Sequence, residues 1–479
     1  MKNIKHILLL GLIILPLCII SLKAQTDDFS ISGNSRNSIP GGCAFDGTNY
    51  LVGITGDAIS DSNVTLQFIS PTGQLLGSRI SVGESGSAPL VAFDGTNYLI
   101  IWGDRYVRFL DNGEDAGMTN IYGRFISPSG NFVGDKFTIV NDAYIKGCVS
   151  GKVHYNGDHF FFIYREDNTQ DDYGPVYGQR ISSGAALIGS PIQISDNNAG
   201  DIDLAFDGSN YLVIFWTDAT DIYGQFVSST GTLIGSNFVI DNTSNNSDNP
   251  ISITYGDSTF LVAFHDQAAN HSWNLKARFV STSGNVDAKT ITIADSSQGP
   301  FLPLLAYDGT NFLATWIHMD AKQIRGQFYT PSGLPYESEY IIFDSTEGVL
   351  PIGGVASFSG NKYLSICTKV AWDSQKATKE DNYGIYGKFV DHSTGLVENV
   401  NNQLNTTLFP NPAKDMITVC TDNIDVVLSI YDVNGRLVKT VAGTSHEHNF
   451  SIHDLSNGIY FVKINANSST HVQKLIIQR

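Results

Sequence analysis

Carboxylates dominate the ionisable side chains of this 479-residue chain, with 47 Asp and Glu against 29 Lys and Arg. Two of them facing a sugar across about 5 to 9.5 Å would suffice for glycoside hydrolysis, a separation that only a fold can supply. Their spacing favours a local role. Asp46, Asp94, Asp207 and Asp308 each precede Gly in a recurring phrase, where a short acidic side chain bonds its own turn. Asp57, Asp104, Asp218 and Asp266 recur past the next apolar run and read as partners of nearby backbone rather than as catalysts or calcium ligands. Gly83-Glu84-Ser85-Gly86-Ser87 lacks the second Gly of a nucleophile elbow and reads as a loop. His446-Glu447-His448 is no HExxH motif and reads as a solvated loop. Cys43, Cys148, Cys367 and Cys420 show no CxxC or His-paired spacing, so they read as free thiols, not as a zinc site or a disulfide framework. No metal site and no cofactor are predicted; calcium stays open.

What would position such groups is a repeat. Phe45-Asp46-Gly47-Thr48-Asn49-Tyr50-Leu51 returns as Phe93-Asp94-Gly95-Thr96-Asn97-Tyr98-Leu99, and weaker copies start at Tyr155, Phe206, Tyr255, Tyr307 and Phe358. The intervals are 48, 62, 51, 49, 52 and 51 residues. A second phrase, clearest in Tyr122-Gly123-Arg124-Phe125-Ile126-Ser127-Pro128-Ser129-Gly130, accompanies each copy, and alternating segments such as Phe137-Thr138-Ile139 supply a fourth strand. Asp-Gly and Ser-x-x-Gly stretches are hairpin turns, and no segment keeps a helical period, so the fold class is all-β. Seven four-stranded units predict a seven-bladed β-propeller over residues 25–397, with an open solenoid as the alternative.

Nine residues after each repeat start stand Ile54, Trp102, Tyr164, Phe215, Phe264, Trp316 and Cys367, a mostly aromatic position suited to the wedge between blades. The seventh unit has only a weak fourth strand around Leu396-Val397, whereas Phe29-Ser30-Ile31 matches a fourth strand without a unit. Pairing of that segment near Phe389 would close the ring.

The connection from the aromatic position to the second phrase is longest in unit two (Trp102 to Tyr122) and unit seven (Cys367 to Tyr386), which a closed ring makes near neighbours. These loops would bring Asp104, Arg105, Tyr106 and Arg108 toward Trp372 and Asp373, with Arg165, Glu166 and Asp167 added from unit three. Loops on a rigid scaffold commonly carry binding groups, and aromatic rings beside charges suit a sugar or a peptide.

The two ends say where the protein goes. Residues 1–24 have Lys2 and Lys5, an apolar run from Ile7 to Ile20 and a small residue, Ala24, at the end, which marks a cleavable secretory signal. Its removal takes three lysines and no acid, moving the formal charge from −18 to −21, and so acidic a chain repels nucleic acid. No other stretch is long enough to span a membrane. After a polar linker at 398–407, Leu408-Phe409-Pro410-Asn411-Pro412 opens a different module, with a turn at Asn434-Gly435-Arg436-Leu437, then Leu455 to Tyr460 and the closing Lys474-Leu475-Ile476-Ile477-Gln478-Arg479.

Residues 408–479 resemble the C-terminal sorting domain of the type IX secretion system, on Asn411, Pro412, Gly435, Gly458, Tyr460 and Lys474 in particular. That resemblance implies a small β-sandwich read by the secretion machinery and an outer-membrane sorting peptidase, with cargo left on, or released from, the surface of a Gram-negative bacterium. The repeats resemble the FDGTNYLV-type repeats of large bacterial surface proteins, which carry no settled activity. The expectation is a cell-surface binding protein for an extracellular glycan or protein ligand. A polysaccharide hydrolase and a structural display module are the alternatives.

Overall fold

The repeated phrases become antiparallel hairpins in the computed structural model. It describes residues 28–32, 38–56, 63–109, 115–144, 151–166, 174–195, 199–217, 221–242, 250–267, 273–345, 349–358, 362–371, 384–390, 406–421, 425–432, 437–466 and 469–479. The chain divides into two compact units, residues 1–391 and 392–479.

In the first unit, Ile39–Phe45, Tyr50–Thr55, Asn63–Ile69 and Leu75–Ser85 form one four-stranded antiparallel sheet in sequence order. Five further four-stranded sheets follow among the described residues, spanning residues 87–144, 151–193, 199–241, 252–294 and 300–343, and a seventh sheet takes three of its strands from residues 349–390. The Asp-Gly turns owe their form to the acid: Asp46 Oδ1 accepts from the N–H groups of Thr48 and Asn49, both at 2.7 Å. Asp94, Asp207 and Asp308 do the same in their own turns. Gly47, Gly95, Gly208 and Gly309 follow at φ of 91 to 94°, where a Cβ would be strained. At the other turns of the same face, the hydroxyls of Ser70, Ser127, Ser182, Ser228, Ser281 and Thr330 accept from the N–H four residues on.

Each second strand is sandwiched between sheets, and Tyr50–Thr55, His159–Arg165 and Phe312–His318 are buried throughout. The repeated position behaves as its residue types predict: Ile54, Trp102, Tyr164, Phe215, Phe264, Trp316 and Cys367 are at most 2% exposed. Cys367 is a free thiol, and its burial pushes its pKa well above the ordinary value. Gly123, Gly224, Gly326 and Gly387 on third strands have another cause. A Cβ there would stand 2.5, 2.7, 3.0 and 2.6 Å from the rings of Phe137, Phe238, Tyr340 and Phe29.

Phe29 belongs to that series although it precedes every repeat. Phe29–Ser30 pairs antiparallel with Gly384–Val390, Phe29 opposite Gly387, and the Ile31 N–H donates to the Ile385 carbonyl at 2.7 Å. The N-terminal segment is therefore the fourth strand of the seventh sheet, as its alternation predicts; the weaker candidate at Leu396-Val397 lies outside the described residues. Around the domain, the first strand of each sheet packs on the first strand of the next, and Val349–Phe358 packs back on Ile39–Phe45.

Among the described residues, the second unit has two sheets. Thr406–Phe409, Met416–Thr421 and Glu447–Ser451 form one; Leu437–Thr444, Asp425–Asp432, Gly458–Ala466 and Ser469–Ile477 form the other. Ile417, Val419, Leu428, Ile430, Phe450, Val462 and Leu475 share a core between them. The solvated loop expected at His446-Glu447-His448 is corrected here: Glu447 and His448 begin a strand, and His448 is 5% exposed, stacked on Phe450. Gly83 to Ser87 is likewise no loop, since Ser85 ends one strand and Ser87 begins the next.

Candidate ligand-binding site

In these sheets the first and last hairpin turns share one face, and the second-to-third connections share the other with the crossings between sheets. The long connection in the second sheet is an arm rather than a loop. Tyr98–Phe109 pairs with Asp115–Ile126 along its length, placing Asp104 opposite Asn120, Arg105 opposite Thr119, Tyr106 opposite Met118 and Arg108 opposite Ala116. Tyr106, Val107 and Phe109 favour a strand, and charged neighbours hid that preference in the sequence.

Arg165 is buried, and its guanidinium donates to the Gly200 carbonyl of the next sheet, so it links sheets rather than facing solvent. Glu166 is partly buried, and that burial raises its pKa. Asp266 is buried in an ion pair with Lys276. Trp372, Asp373, Asp167, Asp57, Asp218 and Cys148 lie outside the described residues.

Between the first strands of six sheets lies a cavity of about 370 Å³ whose polar wall includes Lys152, Asp203 and Ser252. The Lys152 Nζ stands 3.6 Å from Asp203, and that carboxylate raises the lysine pKa. Asp203 also accepts from the N–H groups of Leu204 and Ile253, and Asp201 from those of Ile202 and Ile251. Ser252 Oγ accepts from the Leu305 N–H at 3.1 Å. Burial pushes the Asp201 carboxyl up. Carboxylates whose two oxygens both accept backbone N–H groups join neighbouring sheets; they are poorly placed to move a proton to or from a substrate.

The opposite face offers different chemistry at the sixth sheet. Its first strand, Pro300–Tyr307, slips register between Phe301 and Leu304, and Leu302 sits at φ 48°. A bulky side chain there costs on the order of 1–3 kcal/mol, a strain that clusters at functional positions. The bulge leaves Phe301 and Leu302 39% and 37% exposed, with Met319, also outward, at 45% on the same sheet. His265 lies between the rings of Phe301 and Trp273, at centroid distances of 5.7 and 6.2 Å. It is 1% exposed, its Nε2 has no hydrogen-bond partner among the described residues, and burial pulls its pKa down to about 4. On the same sheet the Trp316 indole donates to Gln298 Oε1 at 3.3 Å. Nothing in the phrase Pro300-Phe301-Leu302-Pro303 sets it apart from an ordinary first strand except Pro303, whose missing N–H suits a bulge.

Among the described residues, no group of three or more His, Cys, Asp or Glu is placed to hold a metal, and no helix is long and apolar enough to cross a membrane. In the C-terminal unit, Asn411 acts as a strand partner: its Nδ2 donates to the Lys474 carbonyl at 2.6 Å and its Oδ1 accepts from the Ile476 N–H at 2.8 Å. Pro412 follows it directly. The Tyr460 hydroxyl donates to the Ser456 carbonyl, and Gly458 opens the strand that carries Tyr460. Gly435 lies outside the described residues. Missed in the sequence, the Arg479 guanidinium donates to the carbonyls of Leu455 and Ile452 at 2.6 and 2.8 Å.

Fold and C-terminal module together define an exported all-β protein. Residues 407–478 match the family of secretion system C-terminal sorting domains, so the chain carries a type IX sorting domain and is a secreted or cell-surface protein. It is 37% identical over 73 residues to beta-agarase A of Zobellia galactanivorans, a stretch covering 15% of this chain and 13% of that enzyme. Among solved structures, the BP39L lectin of Burkholderia pseudomallei superposes with a TM-score of 0.55 at 12% identity, over 76% of this chain and 98% of the lectin. An acylaminoacyl peptidase of Pyrococcus horikoshii gives 0.42 at 10% identity, over 82% of this chain and 60% of its own. The first domain is of the β-propeller type.

Proposed function

We propose that this is a surface binding protein: a closed seven-bladed β-propeller that presents a ligand-binding face, exported by a C-terminal β-sandwich that the type IX machinery and its sorting peptidase read. The observation that carries binding is the strained bulge at Leu302, which leaves Phe301 and Leu302 partly exposed on paired strands, with Phe301 backed by the His265 ring. Ring closure is supported by Phe29 standing as a fourth-strand aromatic on Gly387, and by the first strands packing in a complete circuit. An extracellular glycan or a protein is the ligand class; the lectin nature of BP39L is consistent with the former.

The test is a glycan array with the purified full-length protein, with and without calcium, alongside a reducing-sugar assay on any polysaccharide that binds. Retention of a glycan without sugar release, weakened at least ~10-fold by Phe301→Ala at unchanged melting temperature, is expected. Release of reducing sugar would make it a hydrolase instead. Binding indifferent to Phe301→Ala would remove the bulge from the site, and silence toward every glycan would point to a protein ligand or to display as the function.

A further inference from the structure

The rim of the domain carries a second cavity, on the face of the tight turns and made of other residues than the bulge. A groove of about 290 Å³ runs between the fourth and fifth sheets. Its floor is Phe226 and Phe238, stacked 5.7 Å apart at 15°, and its sides include Asn210, Ser236, Thr282 and Ser283.

The groove is a local departure from the repeat. At four sibling junctions the turn glycine is crowded by the preceding sheet: a Cβ on Gly73, Gly130, Gly231 or Gly333 would lie 3.0, 3.1, 2.7 and 2.6 Å from Phe29, Ile80, Ile192 and Ile291. At Gly284 the nearest atom is 3.4 Å away on Phe226, and Phe238 stands off at 3.9 Å.

Among the described residues, no ionisable side chain lines this groove, in a chain of formal charge −18. An ammonium, a carboxylate or a phosphate would therefore enter without a counter-charge and lose its hydration, which is costly. A neutral sugar ring has the complementary pattern, a C–H face for the aromatic floor and hydroxyls for the rim. The volume lies at the small end of ligand pockets, which start at roughly 300 Å³, and suits one ring rather than a chain. We propose that the groove between the fourth and fifth sheets is a subsite for a single neutral sugar ring. It rests on the binding-protein reading for the class of ligand only, since it shares no residue with the Phe301 bulge.

Saturation-transfer NMR on the purified full-length protein tests it, with methyl β-galactoside, methyl β-glucoside, methyl α-mannoside and galacturonate as probes. Thr282→Trp fills the groove from an exposed position and should leave the melting temperature unchanged; Phe301→Ala reports on the other face. Transfer to at least one neutral glycoside and none to galacturonate is expected, about tenfold weaker in Thr282→Trp and unaltered in Phe301→Ala. Absence of transfer to every neutral glycoside overturns the subsite, as does transfer that ignores Thr282→Trp. Loss in Phe301→Ala alone also overturns it while supporting the bulge as the binding site, so the two readings fail separately.

Discussion

Chemistry at single residues divides into groups bound to their own turn and groups bound to a neighbouring sheet, and only the first kind was legible in the sequence. Asp46 and its counterparts bond atoms two and three residues away, so their role follows from a heptapeptide. Arg165 meets Gly200 and Asp203 meets Ile253, partners 35 and 50 residues off, and no local pattern announces such pairs. His265 is of the second kind and gives a prediction about pH. Its folded pKa is about 4, against about 6.5 in an unfolded chain. Between those values the unfolded chain binds more protons, so this contribution is complete above about pH 6.5 and is lost as pH falls toward about 4. Over the full window it amounts to about 3 kcal/mol. His265→Phe keeps a ring between Trp273 and Phe301 but removes the titration. Urea midpoints at about pH 7 and about pH 5 should then differ less in the variant than in the parent; equal differences would show that His265 is protonated without cost.

Strands and turns were the most readable level, because each unit repeats one period-two pattern between the same turn residues. The misreadings came where composition masked a strand: the charged arm through Asp104 to Arg108, and the histidines near residue 447. The Tyr-Gly-x-Phe phrase shows the constraint that a repeat places on its elements. A Cβ on Gly123 would stand 2.5 Å from the ring of Phe137. Gly123→Val should destabilise the domain by about 1–3 kcal/mol through overpacking. In Gly123→Val with Phe137→Ala the clash has no partner, so the double variant should lose less than the sum of the single losses. Strict additivity in urea unfolding would mean that the glycine serves the backbone and not the ring.

At the scale of the whole molecule, both ends of the chain are structural devices. Asn411 holds the last strand of the C-terminal unit; a sorting signal that needs that strand in place predicts that Asn411→Ala lowers the surface-exposed fraction of the protein in cell fractionation while its synthesis is unchanged. Normal surface levels would place the signal elsewhere in residues 407–478. The N-terminal end bears on the ring proposed for the repeat domain. Six of its sheets draw all four strands from one continuous stretch, but the seventh takes its fourth from Phe29–Ser30, so one junction is held by a segment from the far end of the chain. Phe29 stacks on Phe389 at 5.7 Å and covers both Gly387 and the turn glycine Gly73 of the first sheet. Losing it opens the seam between first and last sheets, whereas an equivalent loss at Phe137 leaves the chain continuous across its junction. Phe29→Ala should cost roughly 2–3 kcal/mol, less than a fully buried Phe. Its distinguishing mark is local: amide exchange at Ile385 and Gly387 should accelerate well before exchange in the fourth sheet, which Phe137→Ala should not reproduce. Uniform acceleration in both variants would mean that the ring opens only by global unfolding, and that the N-terminal strand is one more strand and not the clasp of the domain.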